Sequence, residues 1–120
     1  MNIIIKGKNI ELTPANQEYA KMKISSLDKF FDNIIEARIE LGMDIKSQNK
    51  GKIYVANATL KVPNRILRAE EREKTLNKAI DKAKDDLQRE LKVYKSKIRK
   101  EGRKSIKRIR VKLKPEVDEE

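Results

Sequence analysis

The sequence predicts a two-layer α+β domain in the order β-α-β-β-β-α, with two helices packed on one face of a four-stranded sheet. Three observations carry that prediction. In residues 73–100 (EKTLNKAIDKAKDDLQRELKVYKSKIRK), Leu76, Ala79, Ile80, Ala83, Leu87, Leu91, Tyr94 and Ile98 recur every three or four residues. Such spacing makes one apolar stripe on a helix, and the stretch holds no glycine or proline. Residues 35–43 and 52–62 instead alternate apolar and polar side chains, the period of a strand with one wet face. An apolar stripe and an apolar sheet face bury their surface only against one another.

Taken in order, Met1–Gly7 (MNIIIKG) is a β-branched run closed by glycine and reads as the first strand. Thr13-Pro14 is a helix start, with threonine as N-cap and proline at a position whose amide would be unpaired anyway. Asn16 stands where a capping box would place Glu or Gln. The first helix is expected from Pro14 to about Phe31, burying Ala20, Ile24, Leu27 and Phe31, with Tyr19, Met22 and Phe30 at its flanks. The Phe30-Phe31 pair is read as closing this helix onto the core, a base-stacking platform being the alternative. Asp32-Asn33 ends the helix.

In the second strand Ile35, Ala37, Ile39, Leu41 and Met43 point inward. Residues 44–51 (DIKSQNKG) form a polar hairpin loop. In the third strand Tyr54, Ala56, Ala58, Leu60 and Val62 point inward; Pro63-Asn64 turns the chain, and residues 66–70 make a short last strand. Gly102 is the expected stop of the second helix. Residues 1–101 are therefore read as one domain and 102–120 as a separate tail. The tail carries seven basic and no acidic residues over 102–114, then reverses sign in PEVDEE. It reads as a flexible charged segment; its alternation from Arg108 to Lys114 would also let it add a strand to a partner.

The chain carries 30 Lys and Arg against 19 Asp and Glu, a formal net charge of +11. A soluble small domain needs a net charge of only about 2–8, so the excess points to an anionic polymer. On the second helix Lys78, Lys82, Arg89, Lys92 and Lys100 fall opposite the apolar stripe, and Lys95 joins them as a candidate RNA contact. Lys78 and Lys82 are like charges one turn apart, an arrangement that disfavours an isolated helix. With no cysteine and no histidine, thiol nucleophiles, thiolate metal sites and imidazole general bases are all excluded. Asp81, Asp85 and Asp86 are the remaining candidates for a magnesium site in a nuclease, and pairing with nearby lysines explains them more simply. No enzyme activity, cofactor, metal or small-molecule substrate is expected. No helix-turn-helix spacing is visible, and no apolar run approaches the ~18 residues that cross a bilayer. The chain shows no signal peptide, and the expected setting is the cytoplasm, with no membrane partner.

Several motifs are more specific. GKNIELTP, SLDKFFDNIIEARIEL, and LRAEE followed by AIDKAKDDLQREL resemble, in order and spacing, the ribosome hibernation-promoting factors, also called ribosome-associated inhibitors. The resemblance covers residues 1–98. It implies a fold similar to double-stranded-RNA-binding domains, and binding to the small ribosomal subunit and its ribosomal RNA near the decoding region. Occupying the messenger and transfer RNA sites there would silence translation in resting cells. It implies RNA contacts at Lys23 and Lys29 on the first helix and at Arg89 within LQREL. Two positions depart from the family pattern: Asp86 replaces a common lysine, and Ser26 a basic residue. The length resembles that of the short forms, and a monomer is expected when free. A competing reading is a basic interaction module that regulates transcription machinery through its tail.

Overall fold

A computed structural model describes residues 1–44 and 51–113, with side-chain surroundings through residue 99. Its elements are β1 (Asn2–Gly7), α1 (Pro14–Ser25), a 3₁₀ turn (Ser26–Lys29), β2 (Glu36–Met43), β3 (Tyr54–Val62), β4 (Arg65–Glu73) and α2 (Leu76–Leu113). The expected α+β order is present. Among the described residues the sheet runs β1-β2-β3-β4. β1 lies parallel to β2, with Ile5 opposite Ile39, because α1 carries the chain back across one face. The β2–β3 and β3–β4 pairs are antiparallel, with Ile39 opposite Ala58 and Ala58 opposite Ala69.

Both helices cover the same face. The core joins Ala20, Ile24 and Leu27 of the α1 segment, the inward residues of β2, β3 and β4, and Ala79, Ile80, Ala83, Leu87, Leu91 and Tyr94 of α2. Thr13 caps α1 as expected: its hydroxyl accepts the Asn16 amide at 3.1 Å. Thr75 caps α2 in the same way through the Lys78 amide at 3.1 Å. At the β1 end, Asn9 behaves as a short strand. Its side-chain amide donates to the Met43 carbonyl and accepts the Met43 amide, both at 2.8 Å. A Cβ on Gly42 would sit 2.9 Å from that Asn9 oxygen, which explains the glycine near the end of β2.

Several expectations need correction. The α-helix ends at Ser25 and tightens into the 3₁₀ turn before Phe30. Ser25 and Ser26 each donate a hydroxyl back to the carbonyl three residues earlier, competing with the helical ladder. Ile35 is 50% exposed, and Ile34 fills the core position instead. These residues precede β2, so the strict alternation starts only at Glu36. Met22, Ile66 and Ile98 are also exposed, Ile98 because it lies past the end of the core. β4 does not stop at Glu70 but continues to Glu73, pairing Glu73 with Tyr54. The charged run EERE hides this strand from a hydrophobicity pattern, yet backbone pairing at a sheet edge tolerates charge. The second helix begins at Leu76, not Glu73.

Gly102 does not stop α2, whose backbone stays helical to Leu113. A helix-interior glycine costs only ~1 kcal/mol, less than the strong helix formers around it recover. Over 102–113, neither an irregular backbone nor a strand is therefore present. The hairpin loop expected at residues 45–50, the acidic end at 114–120 and the side chain of Lys100 lie outside the described residues.

The fold makes a paired prediction. Leu87→Ala should destabilise the domain by ~2–5 kcal/mol, whereas Ile98→Ala should stay within ~0.5 kcal/mol of the parent. Urea unfolding followed by circular dichroism measures both.

Candidate nucleic-acid interface

Burial of one side of α2 decides where its charges go. The stripe from Ala79 to Tyr94 is held against β3, β4 and α1, so residues half a turn away face water. Lys78, Lys82, Arg89 and Lys92 are all exposed and fall within an arc of about 80° on the helix. Lys95 lies about 60° further round, toward α1. There it lines a shallow depression with Lys29 and Phe30. Lys23 sits in the seam between the helices, 3.5 Å from Asp81 and 5.6 Å from the centre of the Tyr19 ring. The seven predicted contacts thus divide into an outer group, Lys78, Lys82, Arg89 and Lys92, and a group at the α1 side, Lys23, Lys29 and Lys95.

The outer group borders a carboxylate cluster that extended β4 creates. Glu71 and Glu73 point the same way as buried Leu67 and Ala69, but beyond the end of the core. Lys82 pairs with Glu73, and Arg89 pairs with Asp86. Glu71 faces Asp86, and the hydrogen bond to that neighbouring carboxylate, with partial burial, holds the Glu71 pKa above its ordinary value. Glu73 is shifted the other way by the Lys82 ammonium, whose own pKa rises in return. Asp86, the departure noted in the sequence, therefore acts locally, as the partner of Arg89. Exposed, solvent-screened pairs of this kind are weak, so phosphate oxygens can compete for Lys82 and Arg89. Lys29, Lys78, Lys92 and Lys95 form no salt bridge among the described residues.

In the seam, Tyr19 donates to Asp81 at 2.6 Å, and that bond raises the tyrosine pKa. Asp81 thereby fixes α1 to α2 and orients Lys23. The three aspartates do not converge: Asp81 faces α1, Asp86 reaches toward Glu71 of β4, and Asp85 lies 3.9 Å from Lys84. No group of three or more possible metal ligands is present among the described residues.

Sequence reading missed four cations. Lys84 sits 5.9 Å from the Phe30 ring centre. Arg65, Lys97 and Arg99 gather round Phe31 and Ile98. The density of charge around Ile98 was a usable signal for Lys97 and Arg99. Arg65 had none, because only the β3–β4 turn brings it beside α2.

The carboxylate cluster predicts a pH signature. A raised Glu71 pKa means its contribution favours folding below the unfolded-state value and is lost as pH rises through the folded one. Glu71→Gln should therefore raise Tm at pH ~7 and lose that advantage near pH ~4, where the parent carboxyl is protonated anyway. Thermal unfolding at the two pH values tests it.

Comparison with known proteins gives this geometry a context. Residues 3–99 match the sequence profile of the Sigma 54 modulation protein / S30EA ribosomal protein family. A ribosome hibernation promotion factor of Deinococcus radiodurans is 39% identical over 102 residues, covering 82% of this chain and 53% of the relative. One from Bacillus subtilis is 30% identical over 103 residues, covering 86% and 53%. The chain spans about half the length of these curated relatives. The N-terminal domain of Thermus thermophilus Protein Y superposes with a TM-score of 0.68 at 32% identity, covering 78% of this chain and 99% of that one. A ribosomal subunit interface protein from Coxiella burnetii, 22% identical, shares the fold with a TM-score of 0.71, covering 80% and 99%. With the profile spanning nearly all of its folded body, this chain belongs to the Sigma 54 modulation protein / S30EA ribosomal protein family.

Proposed function

We propose that this protein is a ribosome-associated hibernation factor that lays its helical layer on ribosomal RNA of the small subunit near the decoding region. It blocks the sites of messenger and transfer RNA there and so suppresses translation in resting cells. The observation that carries this reading is the exposed cationic side of α2, held rigid by the same helix that supplies the core. The family membership supports the ribosome as its partner, and the named hibernation factors among the relatives support the outcome.

The mechanism is occlusion. Lys and Arg aimed at phosphates fix the register of a folded domain on an RNA surface without reading bases. Binding strength then comes largely from counterion release, which makes it steeply dependent on salt. The domain's bulk does the rest, because two macromolecules do not share one channel. No general base or nucleophile is required, and the cytoplasm is where this partner is found.

Reversing Lys82, Arg89 and Lys92 to Glu should abolish cosedimentation with small subunits while the circular dichroism spectrum stays that of the parent. Neutralising one of them should flatten the log–log salt dependence by ~0.7–0.9 for each phosphate that the variant no longer neutralises. Full retention of binding by the triple variant would remove this face of α2 from the account.

A further inference from the structure

The surface is hollowed on three sides of Phe31. One depression, of about 530 Å³, is bounded by Phe31, Asn33, Asn64, Arg65, Lys97 and Ile98. That size lies within the ~300–1,000 Å³ typical of sites for small organic groups. A second joins Phe31 to Lys29 and Lys95, and a third to Lys95, Ile98 and Arg99. Phe31 is only partly buried, although the sequence reading gave it to the core. Its ring meets Tyr94 edge-to-face at 5.2 Å, and the Tyr94 hydroxyl is anchored on the Pro63 carbonyl at 2.6 Å. The aromatic floor is therefore fixed in place.

The rim is unlike the outer face of α2. Lys29, Arg65, Lys95, Lys97 and Arg99 are exposed or half-buried, and none forms a salt bridge among the described residues, whereas Lys82 and Arg89 are both paired. Asp32 is the one carboxylate among the described residues lining the three depressions. Asn33 and Asn64 line the same opening, Asn64 from a left-handed backbone at φ 64°. An apolar floor, neutral amides and unpaired cations match the three parts of a nucleotide. The base stacks on ring and aliphatic surface, the amides meet its hydrogen-bonding edge, and the phosphates lie on Lys and Arg.

We propose that the Phe31 cleft captures one unpaired nucleotide of an RNA strand. This rests on the reading that the protein binds ribosomal RNA, and adds to it a stacking contact where the outer face of α2 offers only charge. The cleft takes its α2 residues from Tyr94–Arg99, further along the helix than Lys78, so the two surfaces together would track an RNA path along the helix.

The test uses the full chain and a short single-stranded adenosine oligonucleotide, with a blunt RNA duplex and free AMP as controls. The protein holds two phenylalanines, so their ring NMR signals are readily assigned. The single strand should shift the Phe31 ring and Ile98 methyl signals; the duplex and AMP at the same concentration should not. Phe31→Leu should weaken the oligonucleotide about 10-fold, and Phe31→Tyr should restore it. If Phe31→Leu does not fold, the surface variant Arg65→Gln/Lys97→Gln must weaken it instead. Unmoved Phe31 signals with normal cosedimentation on small subunits would overturn the cleft and leave the RNA reading standing. Failure to bind both oligonucleotide and subunits would overturn both. Equal shifts from AMP, or shifts in RNA-free protein on removing residues 115–120, would assign the cleft to another occupant and overturn the proposal.

Discussion

Everything in this molecule depends on the packing of α2 against the sheet. Ile80, Leu87 and Leu91 of that helix are fully buried, in one core with Leu60, Ile39 and Leu41 of the sheet. At ~25 cal/mol per Å² of apolar surface removed from water, these side chains supply a large part of the drive for folding. They also fix the rotation of the helix about its own axis. Once that rotation is set, Lys78, Lys82, Arg89 and Lys92 have one place to go, which is outward. A charge excess that would be diffuse on an isolated helix becomes a surface with a definite position relative to the sheet.

The same packing explains how the second layer is built up. α1 lies beside α2, tied to it by the Tyr19–Asp81 bond and by Lys84 beside Phe30. Its lysines thereby join those of α2 on a common side of the domain. The opposite sheet face carries charges of both signs, with Arg38, Glu40, Lys61, Arg68 and Glu70 all directed away from the helices. Mixed signs there and one dominant sign on the helical layer give the molecule two unlike sides.

The fold was legible in the sequence where burial imposes a period. β2 and β3 alternate because one face is wet, and α2 carries a stripe because one side is dry. It was less legible where backbone pairing acts without burial. β4 continues through Glu71, Arg72 and Glu73 although nothing apolar marks it, and α2 runs through Gly102 because one glycine is too weak a signal to end a long helix. Ile35 was misassigned because two isoleucines precede β2 and only the onset of pairing decides which one turns inward. The outer cations were legible from helical angle alone. Helical spacing also offers Asp86 to Arg89, three residues apart, but not Glu73 to Lys82, which meet only because β4 runs on beside α2, and Arg65 and Lys97 at Phe31 come from segments more than 30 residues apart.

The central claim is that the helical layer, not the sheet, faces ribosomal RNA. Lysine acetylation of the protein alone and bound to small subunits, read by mass spectrometry, tests it most directly. Lys29, Lys78, Lys92 and Lys95 should lose reactivity on binding while Lys6 and Lys61 on the open sheet face keep theirs. Protection of Lys6 and Lys61, with the helical lysines still reactive, would contradict it.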